Sequence, residues 1–334
     1  MVLGLVLLLA VRCQFQLRHW ASSTSLYVHM IEVNPRSSIA HSNLGLELWR
    51  DGALAKALSH FREAIKLAPF DSSGYGNFGA AMQKMRRFGR AEAYLTSALQ
   101  LTPDSALYHN GLGSVLAAQG LAARAETHFR AAARFAPEAP EAHYNLGNLE
   151  LTRDRPAEAV VHFQRALAAD PEYVPGLVKA GKSYGMLGQW DQAAKVYEKA
   201  VALAPDDAMA WYNLGNARLQ LGYARGAAAA YERAVALEPA SAETRSNYGQ
   251  ALLRVGRLDE AFAQYGEARK LNPRLSGMSL AQQGMIRLRQ GRKKAAMKLL
   301  RQALENNPDR KPVEELLRQL EGETQATPNA GSRD

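Results

Sequence analysis

Apolar residues recur along the chain with the spacing of short amphipathic helices, and the pattern itself repeats. The clearest window is 206–239, where two runs of apolar residues at helical spacing are separated by Gly222. The pattern predicts two helices, over 208–221 and 224–237, joined by a tight turn. The apolar residues behind this prediction are Trp211, Leu214 and Leu219 in the first run and Tyr231, Ala234 and Leu237 in the second.

Proline, glycine and alanine punctuate the chain at one fixed interval. Prolines lie 34 residues apart from Pro35 to Pro273, and a glycine series keeps the same interval from Gly45 to Gly249. Two alanine series, beginning at Ala57 and Ala64, complete the pattern. A constant period of this length is the signature of a repeat architecture, in which each unit buries its apolar face against its neighbours. The sequence therefore predicts one solenoid in place of the two globular domains that the length alone suggests.

Each position of the repeat has a physical role. The glycine series, including Gly215, lies where two helices approach closely, and the prolines end the second helix of each repeat. A further glycine series makes the turn between the helices, but Arg86 and Asp154 replace it in two repeats. We expect those two turns to be strained. The turn glycines are Gly52, Gly120, Gly188, Gly222, Gly256 and Gly291.

These small, aromatic and proline positions together resemble the tetratricopeptide-repeat (TPR) family. The resemblance covers residues 38–310 as eight repeats and implies an all-α, right-handed superhelix, an α-solenoid with a concave groove. It also implies a binding module that carries out no chemistry of its own. Residues 311–321 then read as a capping helix, and 322–334 as a disordered tail.

Composition narrows the function further. The chain has 334 residues and a net charge of +9, and its single cysteine excludes a disulfide framework or a multi-cysteine metal site. Residues 277–320 hold ten Lys and Arg against four Asp and Glu, so +6 of the total is local to the last repeat and its cap. No stacking aromatics or groove-entering helix accompany this charge, and we expect no nucleic-acid partner.

The first residues admit several interpretations. Residues 1–11 are apolar and span about half a bilayer, and Arg12 ends the run. A signal peptide, a lipoprotein signal at Cys13, an internal start site and the end of a longer transmembrane helix all remain open. In the last case residues 1–21 tether the repeats to a membrane, with Arg12, Arg18 and Trp20 as interface anchors.

A second resemblance concerns the junction that follows. Residues 22–37 read as a partial repeat, and the run from Trp20 to Gly45 resembles the junction between the last membrane helix and the repeats in multispanning, glycosyltransferase-like transmembrane-and-TPR proteins. That resemblance implies a membrane-associated protein with its repeats on the non-cytoplasmic side. Arg12 and Arg18 argue for the cytoplasmic side, so the orientation stays open.

Short motifs that suggest catalysis do not fit a chain of helical repeats. Residues 176–183 match the P-loop pattern and residues 74–79 match the dinucleotide-binding pattern, but neither follows a predicted strand. Six of the eight histidines occupy two repeat positions without the spacing of metal ligands in a single helix. We therefore predict no enzyme activity, no cofactor and no metal. The six histidines are His41, His60, His109, His128, His143 and His162.

A row of asparagines marks the candidate binding groove. One first-helix position carries asparagine in five repeats, and asparagine amides can pair with an extended peptide backbone without reading its sequence. The alternative is a solvated polar face with hydrogen bonds between repeats. The row comprises Asn43, Asn77, Asn145, Asn213 and Asn247; the neighbouring candidates are Asn110, Tyr144, Asn148, Tyr212, Asn216, Gln250 and Arg254.

The function predicted from these residues is a protein- or peptide-binding scaffold. In one hypothesis it is the membrane-tethered, substrate-binding part of a membrane glycosyltransferase system. In the alternative it is a free-standing secreted or lipid-anchored adaptor for complex assembly. Asn216, Asn247 and Arg254 also resemble part of the carboxylate clamp by which some repeat domains hold chaperone tails. Tyr212 stands where that clamp has lysine, which argues against a chaperone partner.

Overall fold

The computed structural model describes residues 22–306 and 311–325, with side chains up to residue 322. Within these ranges the chain forms eighteen α-helices and a short 3₁₀ turn, and no strand. The fold is all-α and of the α-solenoid type, as the repeat pattern predicts. Contacts divide the chain into two compact units, one ending at Pro171 and the other beginning at Glu172, which is a boundary between repeats.

The first unit is built of helix pairs that follow an unpaired helix. That helix, α1, packs against α2, and each first helix of a pair packs against its second helix and against the first helix of the next pair. The helices are α1 (Ser23–Val33), α2 (Ser38–Arg50), α3 (Leu54–Leu67), α4 (Ser72–Lys84), α5 (Phe88–Leu101), α6 (Ala106–Ala118), α7 (Ala122–Phe135), α8 (Pro140–Thr152) and α9 (Pro156–Ala169).

The second unit repeats the same pairing and ends with a single helix. Its first helices are α10, α12, α14 and α16, and the second helices are α11, α13, α15 and α17. The bounds are α10 (Val174–Met186), α11 (Trp190–Leu203), α12 (Ala208–Gln220), α13 (Ala224–Leu237), α14 (Ala242–Val255), α15 (Leu258–Leu271), the 3₁₀ turn (Pro273–Leu275), α16 (Ser276–Arg289), α17 (Lys293–Asn306) and α18 (Lys311–Gln325). The two helices predicted in 206–239 are confirmed as α12 and α13.

Short polar side chains start many of the first helices. Ser37, Ser105, Asp207 and Ser241 each accept a hydrogen bond from the backbone N–H three residues later. This contact satisfies one of the backbone donors that a helix start leaves unpaired. The second helices lack such a cap, because they begin directly after the tight turn that joins each pair.

The glycine series makes the close approach within each pair. A Cβ on Gly147 would lie 2.6 Å from the ring of Phe163, and one on Gly215 would lie 2.6 Å from the ring of Tyr231. Both rings are fully buried. Burying a ring of this size contributes about 1.5–3 kcal/mol, and the missing side chain of glycine is what allows the ring to pack there. The predicted role of this series is confirmed.

The turns between paired helices require a left-handed residue. The turn glycines have positive φ, and Arg86 and Asp154 adopt the same conformation with φ of 58° and 57°. A side chain in this region costs about 1–2 kcal/mol, less for aspartate than for most residues. The strain predicted at these two positions is confirmed.

The C-terminal helix is longer than predicted. It runs to Gln325, beyond the predicted end at residue 321, so the expectation of a disordered tail from residue 322 is wrong for its first four residues. Gly322 does not end the helix, and no proline follows in the sequence before Pro328. Leu317 and Leu320 are buried in a cluster with Leu300. The rest of the predicted tail, 326–334, lies outside the described residues.

The membrane prediction falls on residues that the structure does not describe. The apolar segment 1–21, with Arg12, Cys13, Arg18 and Trp20, lies outside the described residues. Among the helices that are described, none has both the length and the apolar character needed to cross a membrane.

Candidate functional site

The first helices of three successive repeats in the second unit surround a cavity of about 510 Å³. Helices α10, α12 and α14 supply most of its wall, and α11 supplies two aromatic rings. We call this surface the inner face of the second unit. The cavity is lined by Gly181, Lys182, Gly185, Met186, Trp190, Tyr197, Tyr212, Asn213, Asn216, Leu219, Gln220, Asn247 and Gln250.

A hydrogen-bond network fixes one side of the cavity. Asn247 donates from Nδ2 to the hydroxyl of Tyr212 at 3.1 Å and to Oδ1 of Asn216 at 3.2 Å. Tyr231 donates its hydroxyl to the same Asn216 oxygen at 2.6 Å. Tyr212 in turn donates to Oε1 of Glu243 at 2.8 Å. The network crosses the boundary between two repeats, so it orients the amides before any ligand arrives.

Burial keeps the hydroxyls of this network protonated. Burial raises the pKa of Tyr212 and the neighbouring Glu243 carboxylate raises it too, while hydrogen bonds with Asn216 and Asn247 oppose the shift without reversing it. Burial also raises the pKa of Tyr231. Both tyrosines therefore act as neutral donors over the physiological pH range.

Other polar groups at the cavity have no protein partner. The side chains of Lys182, Asn213 and Gln250 make no hydrogen bond or ion pair with any residue that the structure describes. The amide oxygen of Asn216 is already occupied, because it accepts hydrogen bonds from Tyr231 and Asn247. The cavity thus offers unsatisfied amides and one ammonium beside an apolar wall formed by Met186 and Leu219.

Of the six predicted residues that lie in the second unit, five come together at this cavity and one does not. The five are Tyr212, Asn213, Asn216, Asn247 and Gln250. Arg254 instead lines a separate cavity of about 450 Å³ beside Tyr223, and its Nη1 donates to the carbonyl of Leu219 at 3.1 Å.

In the first unit, two asparagines of the row donate a hydrogen bond to the preceding repeat. Asn77 donates to Oγ of Ser42 at 3.0 Å, and Asn145 donates to Oδ1 of Asn110 at 2.8 Å. With Asn247, three of the five asparagines in the row use their amide in a contact with the preceding repeat. The hydrogen bonds between repeats that the alternative interpretation expects are therefore present at these three positions, because the 34-residue spacing brings their amides within reach of the preceding repeat. Peptide binding by the row stays a prediction.

The remaining candidates of the first unit lie on first helices. Asn43 is on α2, and Tyr144 and Asn148 are on α8, where Tyr144 packs against the ring of Phe163 with centroids 6.0 Å apart. Asn110 lines an apolar cavity of about 330 Å³ together with Leu107 and several alanines.

Lys182 lines the cavity but was not among the predicted groove residues. The P-loop pattern drew attention to it, but residues 176–183 lie inside α10, and Oγ of Ser183 donates to the carbonyl of Lys179. The dinucleotide-like pattern likewise lies inside α4. A better signal was available, because Lys182 precedes Asn216 by 34 residues and Gln250 by 68 and so shares their repeat position.

The repeated histidines form pairs within repeats. Nδ1 of His41 lies 3.0 Å from Nδ1 of His60, and the pair His109 and His128 shows the same distance. In each pair Nε2 of the first histidine contacts the carbonyl of the repeat proline, at 3.2 Å for His41 and 3.0 Å for His109. These contacts tie the two helices together. In the part of the chain that the structure describes, no group of three or more ligand-type side chains could hold a metal ion.

Burial lowers the pKa of the second histidine in these two pairs. For His60 the facing His41 lowers it further, and for His128 the facing His109 and Arg124 do so, while Glu92 opposes them. The third pair, His143 and His162, stacks with ring centroids 6.0 Å apart. Its two Nδ1 atoms are buried without a hydrogen-bond partner.

A search of solved structures found chains that are similar to this one. YrrB, described as a TPR protein with an unusual peptide-binding site, is 23% identical, with a TM-score of 0.53 over 56% of this chain and 96% of its own. MamA (residues 41 to the end) from Desulfovibrio magneticus RS-1 is 23% identical, with a TM-score of 0.47 over 50% and 93%. The Cut9–Hcn1 tetramer of APC/C is 14% identical, with a TM-score of 0.48 over 90% of this chain and 60% of that one.

Family models identify the repeats, whereas a search of curated proteins found no significant relative. One tetratricopeptide-repeat model matches residues 10–72, 80–140, 123–174 and 214–276. A TPR-repeat model matches 181–222, and a further tetratricopeptide-repeat model matches 279–310. Since the first of these models alone matches more than half of the chain, the chain belongs to the tetratricopeptide-repeat family.

Proposed function

We propose that this protein is a non-catalytic scaffold that holds an extended segment of a partner protein on the inner face of the second unit. One observation carries the proposal. The cavity there has unsatisfied amides at Asn213 and Gln250, whose donors and acceptors match those of a peptide backbone. The hydrogen bonds of Asn247 hold that amide in place in advance, which lowers the entropy cost of binding.

Selection from a random peptide library displayed on phage tests this proposal. The full chain serves as bait, and fluorescence anisotropy then measures the Kd of each selected peptide. The double variant Asn213→Ala, Gln250→Ala removes two unsatisfied amides, and we expect it to weaken binding at least tenfold, since two backbone hydrogen bonds are lost. The matched control is Gln192→Ala, Lys199→Ala, which alters two exposed side chains of α11. Selected peptides that bind both double variants equally well contradict the proposal.

A membrane location is a separate proposal that rests on the first residues alone. The apolar run 1–11, followed by Arg12, suits a membrane tether, and the junction after Trp20 supports a link to a membrane glycosyltransferase system with non-cytoplasmic repeats. In-frame apolar codons in the DNA upstream of Met1 are the expected finding. A stop codon and a ribosome-binding site directly upstream contradict the link.

The adaptor alternative makes a different prediction about the same residues. If the protein is a free-standing secreted or lipid-anchored adaptor, residues 1–13 alone direct export. A reporter enzyme fused after Cys13 then reaches the exported fraction. A reporter that stays in the cytoplasm contradicts this alternative.

A further inference from the structure

Positive charge is concentrated on the first helices of the second unit. Helices α10, α12, α14 and α16 carry seven basic residues and one acidic residue, Glu243, a net charge of +6. The second helices carry ten basic and seven acidic residues, a net charge of +3. The basic residues of the first helices are Lys179, Lys182, Arg218, Arg245, Arg254, Arg287 and Arg289.

Three of the seven cations are committed to the second helices. Arg218 pairs with Glu198 at 3.0 Å. Arg245 donates to the side chain of Gln264 at 3.0 Å, and Arg287 lies 3.9 Å from the centroid of the Phe262 ring. Their charges therefore serve packing between helices.

The other four cations have no carboxylate partner among the described residues. Lys179 and Lys182 are three residues apart on α10, and Arg254 follows Gln250 by four on α14, so each lies on the same side of its helix as a cavity residue. The single acid, Glu243, already accepts the hydroxyl of Tyr212 at 2.8 Å. The inner face thus carries uncompensated positive charge beside its cavity.

The first helices of the first unit lack this positive charge, so it is not a general property of the repeat. These helices carry two basic and three acidic residues. Glu150 is buried there and pairs with Arg153 at 2.7 Å. The two basic residues are Arg50 and Lys84, and the three acidic residues are Glu47, Glu141 and Glu150.

From this charge we infer that the segment bound on the inner face of the second unit is acidic, with a carboxylate at Lys182 next to an apolar side chain in the cavity. The inference rests on the proposed function and specifies its ligand. Lys182 lines the cavity together with Met186, Trp190 and Leu219, so a carboxylate and an apolar side chain in adjacent positions reach both kinds of group. Unpaired cations also speed the encounter with an acidic partner.

An acidic peptide fits this face better than a nucleic acid. Binding single-stranded nucleic acid needs aromatic faces open to the bases. Here Tyr197 is buried, and Trp190 and Tyr212 are only partly exposed, so the cavity has no row of open ring faces. The amides along the cavity match a peptide backbone in place of stacked bases.

An array of paired peptides tests the inference. In each pair, one peptide has glutamate beside phenylalanine or leucine, and its twin has glutamine in place of that glutamate. Each glutamate peptide is made once with a free and once with an amidated C-terminus. We expect the intact chain to prefer glutamate members about tenfold, and Lys182→Ala to remove most of that preference. Lys199→Ala, an exposed lysine on α11, is the control with the same change of charge and should keep the preference.

A charge-reversal variant and a measurement of helix content complete the test. Lys182→Glu should prefer twin peptides with lysine in place of glutamate, and circular dichroism should show unchanged helix content. If binding requires the free C-terminus, the carboxylate is terminal; if the amidated members bind equally, it is a side chain. Peptide binding without an acid preference, or displacement of the peptides by equimolar single-stranded DNA, overturns the inference and leaves the proposed function standing. Absence of binding by every member contradicts both.

Discussion

Asn247 on α14 donates from Nδ2 to the hydroxyl of Tyr212 on α12, 3.1 Å away and 35 residues earlier in the chain. This bond joins two repeats and borders the cavity. The same asparagine therefore contributes to stability and to the shape of the candidate site. Asn213, at the equivalent position one repeat earlier, lines the cavity without any intramolecular hydrogen bond in the described structure.

The two asparagines should respond differently to alanine substitution. Asn247→Ala breaks a half-buried network, and we expect the free energy of unfolding to fall by about 1–2 kcal/mol. Asn213→Ala should change stability by less than about 0.5 kcal/mol, because it removes no protein contact. Urea unfolding followed by circular dichroism measures both. Equal losses for the two variants would show that the network does not hold the repeats together.

The histidine pairs predict a loss of stability on acidification. The pKa values of His60 and His128 are lowered in the folded state below the ordinary value of 6.5, so the unfolded chain binds protons more readily. The contribution of these groups is complete above about pH 6.5 and is lost as the pH falls through their folded pKa values. Urea midpoints at pH 7.5, 6.5 and 5.5 should therefore decrease in that order.

A conservative replacement isolates the histidine contribution. The repeat that begins at α14 has Arg245 and Gln264 at the same two positions, joined by a 3.0 Å hydrogen bond, so glutamine suits the second position. The double variant His60→Gln, His128→Gln should lose less stability between pH 7.5 and 5.5 than the unmodified chain. An unchanged pH dependence would assign the acid sensitivity to other groups, first among them His143 and His162, whose pKa values burial also lowers.

Filling the close approach in a helix pair should be costly. Gly147→Ala places a Cβ 2.6 Å from the ring of the fully buried Phe163, and we expect a loss of about 1–3 kcal/mol in the free energy of unfolding. Gly89→Ala is the control, since no atom lies within 4 Å of its Cβ position and α5 gains a better helix former there. Thermal and urea unfolding measure both changes. A neutral Gly147→Ala would contradict the steric role of the glycine series.

The strained turn at Arg86 should be improved by glycine. Six equivalent turns have glycine with positive φ, whereas Arg86 adopts a φ of 58°. Arg86→Gly should raise the free energy of unfolding by about 0.5–1 kcal/mol, because relief of the left-handed strain exceeds the added flexibility of the unfolded chain. The same replacement at Asp154 should give a smaller gain, since aspartate tolerates this conformation better. A destabilised Arg86→Gly would show that its side chain contributes more than the strain costs.

The repeat pattern was sufficient to predict the fold but only part of the site. Proline and glycine act locally, so their spacing predicted α12 and α13 to within one residue and the strain at Arg86. The C-terminal helix was predicted too short because its last turn contains no apolar residue to mark its continuation, and its end depends on polar residues with weak preferences.

The site was harder to predict because hydrogen bonds between repeats depend on geometry that the spacing does not contain. Asn145 and Asn213 occupy equivalent positions, yet only Asn145 finds an acceptor, because Asn110 lies beside it in the preceding repeat. Lys182 was considered only within the rejected P-loop pattern, although its repeat position matches that of Asn216. Comparing equivalent positions across repeats is therefore a better guide to the inner face than matching short patterns.

Photo-crosslinking shows directly whether a peptide binds on the inner face of the second unit. A selected peptide carrying benzoylphenylalanine is irradiated with the full chain, and the linked residues are mapped by mass spectrometry. We expect links to the first helices of the second unit, at Met186, Gln220 and Gln250, which line the cavity. Links confined to the exposed side of the second helices, such as Lys195 and Lys199 on α11, would contradict this expectation.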